Sequence, residues 1–202
     1  MGRPPRNAFS EETVVRVLRA AENTFGAHGY RGARLEDIAA AAGIQRPSLL
    51  YHFKSKERLY HSVLSKAFEQ MAEVVQASVV IDQSPTECTD GVVTALLTFA
   101  EDHIGLVRTL AREMMDPQGV ARGLVFEQMT RLVDAIEMAF RASLLTVETP
   151  PIPADFPIRA AILQLTCGYL MRVGTDTFGD ALWGPTGAHT RRLAHALLLQ
   201  RP

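Results

Sequence analysis

Apolar side chains recur every three or four positions along most of the chain, the spacing that places them on one face of an α-helix. The first amphipathic stretch follows Ser10, whose hydroxyl suits a helix N-cap, and Gly26 and Gly29 are predicted to end it. The short β-branched run at 79–81 lies at the end of a helical stretch. The pattern therefore predicts an all-α protein of about nine helices.

Cap and turn signals set the bounds of the other predicted helices. Ser55 caps a long helix, and a capping box, Ser84-Pro85-Thr86-Glu87, begins the next one, which Gly105 separates from a short helix. Asp116 and Asp155 are predicted to cap two later helices. Apart from the helix after Ser84, the predicted bounds are 35–42, 46–53, 55–80, 106–115, 118–146, 156–177 and 188–200, with a loop over 179–187 that contains Trp183.

The charge of the chain is divided unevenly. Residues 1–66 carry eleven Lys or Arg and six Asp or Glu, a difference of +5, and residues 67–202 carry ten and sixteen, a difference of -6. The formal net charge of -1 is their sum. A basic head joined to an acidic body is typical of a nucleic-acid-binding module fused to a second domain, although chance alone produces a modest imbalance of this kind.

Several classes of protein are excluded by composition. No apolar run is long enough for a transmembrane helix, and the first residues lack the apolar stretch of a secretory signal. Two cysteines, Cys88 and Cys167, do not form a disulfide framework, so we expect a cytoplasmic protein in a reducing compartment.

Residues 35–53 have the pattern of a helix-turn-helix. Ala39 and Ala42 are small enough for two short helices to approach closely, and Gly43 permits the tight turn between them. In such motifs the first residues of the second helix contact base edges in the major groove, and an arginine such as Arg46 is the best partner for guanine. The predicted outward-facing residues of that helix are Gln45, Arg46, Ser48, Tyr51 and His52.

The same residues carry a resemblance to a known family. The segments are Gly29-Tyr30, Leu35-Glu36-Asp37-Ile38-Ala39, Ala42-Gly43-Ile44, Arg46-Pro47-Ser48-Leu49 and Tyr51-His52-Phe53-Lys54-Ser55-Lys56-Glu57-Arg58-Leu59. Together they resemble the DNA-binding domain of the tetracycline-repressor (TetR) family over about residues 10–66. Two positions differ from the common pattern: Arg34 stands where a capping Thr or Ser is usual, and Leu50 where a Tyr is common.

The resemblance implies a helix-turn-helix DNA-binding domain over residues 1–54 and a ligand-binding and dimerisation domain over 55–202. It implies a homodimer that binds a palindromic operator and responds to a small, partly apolar effector, most simply as a repressor. We expect base or phosphate contacts from Arg34, Gln45, Arg46, Pro47, Ser48, Tyr51, His52 and Lys56. Candidate effector-binding residues are Phe99, Phe126 and Met129, and candidate dimer contacts are Leu163, Leu170, Leu193 and Leu197.

Alternatives remain open for several of these residues. Arg46 and Lys56 could be ordinary solvated cations, His52 could pack beside Phe53, and the basic arm 2–6 could be a solvated tail rather than a minor-groove ligand. A helical ligand-binding or scaffold protein without operator binding is the second interpretation of the whole chain. An enzyme is the third, but the sequence has no catalytic or metal-binding motif, so we expect no enzymatic activity, metal or cofactor.

Overall fold

The computed structural model describes residues 10–174 and 186–200, which contain nine α-helices and no β-strand. The arm at 2–6 and the segment 179–185, which includes Trp183, lie outside the described residues. The all-α prediction is confirmed. The helices are α1 (Glu11–Gly32), α2 (Leu35–Ala41), α3 (Arg46–Phe53), α4 (Lys56–Ser78), α5 (Pro85–Asp102), α6 (Ile104–Met115), α7 (Arg122–Leu144), α8 (Ile158–Gly174) and α9 (Thr186–Leu198).

Serine side chains begin three of these helices as predicted. The Ser10 hydroxyl accepts the Thr13 N–H at 3.2 Å, and the Ser55 hydroxyl accepts the Arg58 N–H at 3.1 Å. At α5 the capping box is complete, because the Glu87 carboxylate also accepts the Ser84 N–H at 2.8 Å. These contacts satisfy amide groups that the helix itself leaves without acceptors.

Two predicted aspartate caps are wrong. The Asp116 carboxylate accepts the Gln118 N–H at 2.9 Å and closes a turn, so α7 begins at Arg122 rather than near 118. A side chain that bonds its own neighbouring backbone in this way competes with helix formation. Helix α8 begins at Ile158, because Phe156 precedes Pro157 and a residue before proline is held out of the helical region.

Helices α1 to α3 form a head around an apolar hub. Phe25, Ile38 and Leu49 are fully buried, and Leu18 and Ile44 pack against them as partly buried neighbours. Gly43 makes the turn between α2 and α3 at φ 69°, a left-handed conformation that favours glycine. The predicted helix-turn-helix is therefore confirmed.

The head is fixed to the rest of the chain by a close crossing of α1 and α6. A Cβ added at Gly26 would lie 2.4 Å from the Cα of Gly105, so the two backbones touch and Gly26 has no room for a side chain. A Cβ at Gly105 would lie 3.1 Å from the Glu22 carbonyl oxygen, which is a tight contact. The Arg112 guanidinium donates to the Gly26 carbonyl at 2.6 Å and to the Phe25 carbonyl at 3.2 Å. Two predictions are corrected here: α1 continues through Gly26, and Gly105 lies inside α6 rather than between helices. The predicted break at Gly29 is present, because Gly29 has a non-helical φ of 68° and kinks the span that ends at Gly32.

A buried carboxylate joins α4, α6 and the turn before α7. Glu113 accepts the Tyr60 hydroxyl at 2.8 Å and the Ala121 N–H at 3.1 Å. Burial, and then the neighbouring Glu113 carboxylate, raise the pKa of Tyr60, so its hydroxyl remains a hydrogen-bond donor. The remaining helices, α5 to α9, enclose a second apolar region that is continuous with the head. None of the helices in the described ranges is long and apolar enough to cross a membrane.

Candidate nucleic-acid interface and ligand cavity

Helix α3 has one buried and one exposed side. Leu49 and Phe53 point into the hub of the head. The residues on the other side, which are the predicted DNA contacts of this helix, are all exposed: Gln45, Arg46, Pro47, Ser48, Tyr51 and His52. No side chain caps the N-terminus of α3, so the side-chain amide of Gln45 is not used as a helix cap. The head therefore presents a short polar helix whose exposed side could enter a groove of DNA.

Arg46 is held by a residue that the sequence reasoning did not include. Its Nε lies 2.9 Å from a carboxylate oxygen of Glu36 on α2, and both side chains are more than half exposed. An exposed ion pair of this kind contributes about 0–1 kcal/mol, so the guanidinium can leave it for a guanine or a phosphate. The acidic first turn of α2 was visible in the sequence, but its approach to α3 depends on the angle of the turn.

A second cation, Lys54, lies at the C-terminal end of α3, and the sequence did not place it among the predicted DNA contacts. Lys54 has φ 67°, and its ammonium donates to the Tyr51 carbonyl at 2.6 Å. The same ammonium lies 4.8 Å from the centre of the Tyr51 ring, which is 60% exposed. Tyr51 and Lys54 thus form an amphipathic pair on the surface of the head.

The flanking predicted contacts have different environments. Arg34 is exposed at the start of α2, and its side chain makes no capping hydrogen bond. The His52 ring packs edge-on against Phe53 at 4.7 Å between centroids, as one alternative proposed, yet the residue remains exposed. The Lys56 ammonium donates to the Arg31 carbonyl at 3.3 Å and covers the Tyr30 ring, and burial lowers its pKa. Two of its three N–H donors remain for a phosphate.

Sequence comparison identifies the head. Residues 17–63 match the profile of the bacterial regulatory proteins of the tetR family. They are a TetR-family domain. The HTH-type transcriptional regulator RutR of Escherichia coli K12 is 47% identical over 53 residues, which are 26% of this chain and 25% of RutR. The HTH-type transcriptional repressor BepR of Brucella suis is 32% identical over 97 residues, or 47% and 46% of the two chains.

The chain thus matches between a quarter and a half of the length of these curated relatives. Structural comparison extends over more of the chain. The transcriptional regulator FadR of Bacillus subtilis, solved in complex with stearoyl-CoA, has a TM-score of 0.73 with this chain at 16% identity. The match covers 93% of this chain and 99% of FadR. The chain therefore shares the fold of FadR along almost all of its length.

Helices α4 to α9 together line a cavity of about 120 Å³. Phe99 and Met129, two of the predicted effector-binding residues, line it together. Phe126 does not: it lies on the outer side of α7, 75% exposed, beside a separate open groove that also contacts Met129. In the residues that the structure describes, no group of three His, Cys, Asp or Glu side chains could hold a metal ion.

Phe99 connects the cavity to the head. Its ring stacks on His103 with 4.4 Å between centroids, and His103 Nδ1 lies 3.1 Å from the Glu22 carboxylate on α1. Because a carboxylate only accepts hydrogen bonds, Nδ1 carries the proton in this contact. One side chain, His103, therefore joins Phe99 to the first helix of the TetR-family domain.

Helix α8 has an exposed face without a charged residue in the described part of the chain, whereas the exposed positions of α9 include Arg191 and Arg192. On α8 the exposed positions follow helical spacing: Ala160, Leu163, Gln164, Cys167, Gly168 and Met171. On α9 Leu193 is 42% exposed and Ala196 is also exposed. Of the other predicted dimer contacts, Leu170 is 7% exposed and Leu197 is partly buried, so both pack within the chain's own core.

Proposed function

We propose that this chain is a cytoplasmic, sequence-specific DNA-binding transcriptional regulator that acts as a homodimer and responds to a small molecule, most simply as a repressor of a palindromic operator. The observation that carries the proposal is the division of α3, in a TetR-family domain, into a buried apolar side and an exposed polar side. The exposed side offers the arginine, hydroxyl and amide groups that read bases and grip phosphates.

The exposed faces of α8 and α9 support a two-fold dimer. A stripe of Leu163, Cys167, Gly168 and Met171 runs along α8, and Leu193 belongs to the neighbouring face of α9. Exposed apolar side chains that recur along one face of a helix are typical of an interface between subunits. Pairing of the two helices with their symmetry mates forms a four-helix bundle and sets the distance between the two heads. Of the four predicted dimer contacts, Leu163 and Leu193 are therefore the ones exposed for contact with a second subunit.

The cavity supports regulation by a ligand. Its lining includes Phe99, which reaches α1 through His103 and Glu22. BepR is named a repressor and FadR was solved in complex with stearoyl-CoA, so repression and ligand binding each have a precedent among similar chains. A ligand changes operator affinity only if it binds the two orientations of the head with different affinity, and movement of α1 would provide that difference.

Binding to DNA from upstream of the gene, measured by fluorescence anisotropy at several salt concentrations, tests the proposal. We expect tight binding to one site whose half-sites repeat about one helical turn of DNA apart, or a multiple of it, and weak binding to a scrambled duplex. Arg46→Ala should weaken specific binding by about 1–3 kcal/mol and reduce discrimination between bases. Arg131→Ala is the matched control, because Arg131 also lies in an exposed ion pair, with Glu127 on α7.

Equal affinity for the specific and scrambled duplexes, unchanged by Arg46→Ala, would contradict operator recognition. It would favour the second interpretation, a ligand-binding protein of this fold that does not read DNA. Arg34 and Leu50, the two departures from the common pattern, are the residues that motivate this alternative.

A further inference from the structure

The composition of the cavity wall restricts the chemistry of its ligand. Six helices, α4 to α9, contribute the lining, which consists of Leu, Val, Ile, Ala, Phe and Met side chains with three hydroxyl-bearing residues, Thr166, Tyr169 and Thr190. None of the described residues in the wall carries a charge. A carboxylate or phosphate placed there would lose its hydration without gaining a cation from the wall, which is strongly unfavourable. The wall therefore disfavours an ionised ligand.

The volume of the cavity restricts the size of the ligand. Its 120 Å³ is slightly less than the ~150 Å³ of an apolar cavity that binds benzene, and well below the ~300–1,000 Å³ of ordinary ligand pockets. Met71 and Met129 lie in the wall and can yield some space, because methionine is unbranched and flexible. A single ring or a short chain fits these dimensions.

Hydroxyl groups in the wall permit one polar contact. Thr166 donates its hydroxyl proton to the Ile162 carbonyl at 2.8 Å, so its oxygen can still accept a hydrogen bond from a ligand. Burial raises the pKa of Tyr169, which keeps its hydroxyl protonated. Glu101 and Arg172 are close enough to shift that pKa in opposite directions, but neither belongs to the wall.

We propose that the cavity binds a small neutral molecule, an apolar ring or chain of about six to eight non-hydrogen atoms with at most one hydroxyl group. The proposal names the ligand class of the effector site and rests on the proposed function for its regulatory role. Binding itself does not depend on DNA.

Three probes with the same seven-carbon framework test the class: toluene, benzyl alcohol and benzoate. Each is added to the full-length protein at neutral pH, and the melting temperature is followed by calorimetry. At ten times the dissociation constant we expect toluene and benzyl alcohol to raise Tm by about 3–5 °C. Benzoate should leave Tm unchanged at the same concentrations. A benzoate shift as large as that of benzyl alcohol, or no shift with any probe, would overturn the proposal.

Methyl NMR of the wild-type protein locates the bound probe without any change to the core. Met71 and Met129 line the cavity, whereas Met114, Met115 and Met138 are exposed elsewhere. Toluene should shift the methyl resonances of the first pair, and shifts confined to the exposed methionines would overturn the assignment of the site. Ala100→Leu, which places two methyl groups into the cavity, should abolish the toluene shift, and Ala135→Leu on the exposed side of α7 should preserve it.

The outcomes for the ligand and for DNA are separable. A protein that binds toluene in the cavity but shows no operator preference supports this inference and contradicts the proposed regulator. A protein that binds its operator specifically but discriminates none of the three probes contradicts this inference alone.

Discussion

His103 Nδ1 lies 3.1 Å from both carboxylate oxygens of Glu22, across the boundary between α5 and α1. Both side chains are largely buried, with 27% and 15% of their surfaces exposed. The imidazole also stacks on Phe99. The contact therefore joins the wall of the cavity to the first helix of the head.

Loss of this contact should lower the stability of the protein. His103→Phe keeps a ring against Phe99 but leaves the Glu22 carboxylate without its donor, and we expect the free energy of unfolding to fall by about 1–3 kcal/mol. Urea denaturation measures the change. Glu22→Gln removes the charge from the same pair, so the double variant should lose less than the sum of the two single changes. Additivity within ~0.3–0.5 kcal/mol would show that the residues are not coupled.

Glu36→Gln should strengthen operator binding. The substitution releases the Arg46 guanidinium and removes a negative charge from the surface that faces the phosphates. Because an exposed ion pair contributes about 0–1 kcal/mol, we expect a gain of about two- to five-fold in affinity by anisotropy. Glu127→Gln, which breaks the exposed Arg131 pair on α7, is the control and should have no effect. Weaker binding by Glu36→Gln would mean that Glu36 positions Arg46 for base contact.

Lys56→Met should change the salt dependence of binding. Methionine retains the apolar stem over Tyr30 but removes the ammonium. If one phosphate contact per head is lost, the slope of log affinity against log salt concentration should fall by about 0.9 for each head. Lys66→Met, further along α4 and paired with Glu69, should leave the slope unchanged. An unchanged slope in Lys56→Met would restrict Lys56 to its contact with the Arg31 carbonyl.

Gly26→Ala should force α1 and α6 apart. The added Cβ meets the backbone of Gly105, which cannot rotate away as a side chain can, and we expect a loss of about 1–3 kcal/mol in the free energy of unfolding. Gly123→Ala on α7 meets nothing within 4 Å and should stabilise the protein by about 0.4–1 kcal/mol. Equal melting temperatures for the two variants would show that the crossing tolerates a methyl group.

Leu163→Glu should dissociate the proposed dimer. A carboxylate in the centre of an apolar interface loses its hydration, so sedimentation equilibrium at micromolar concentration should report a monomer. Leu145→Glu, on a residue that is 87% exposed at the end of α7, is the control. Cys167 gives a second measurement, since it is exposed in the single chain while Cys88 is buried with a raised thiol pKa. Maleimide should label Cys167 slowly in the wild type and rapidly in Leu163→Glu; equal rates would locate the interface elsewhere.

The parts of the fold that could be predicted from sequence are those with local causes. Ser10, Ser55 and Ser84 cap helices through residues three positions away, and Gly43 makes its turn through its own φ angle. The split of α3 into two sides follows from the helical period. Such features need no knowledge of distant residues.

Features that depend on distant residues could not be predicted. The sequence marks Gly26 as a helix end because glycine is a poor helix former, but Gly105, 79 positions away, makes it a crossing point. The family resemblance implies an effector site and Phe126 is one of the predicted lining residues, but only the packing of α7 shows that this side chain is 75% exposed. The partner of Arg46 likewise depends on how α2 meets α3.

The touching backbones of α1 and α6 determine how heads could be exchanged between relatives. A hybrid regulator that takes only residues 33–55 from a donor keeps the native crossing at Gly26 together with the Arg112 hydrogen bonds. A transplant that includes α1 has to bring a glycine to the same position, whatever operator the donor recognises. For a designer of biosensors, the better position at which to join donor and recipient sequences therefore lies after the first helix rather than after the third.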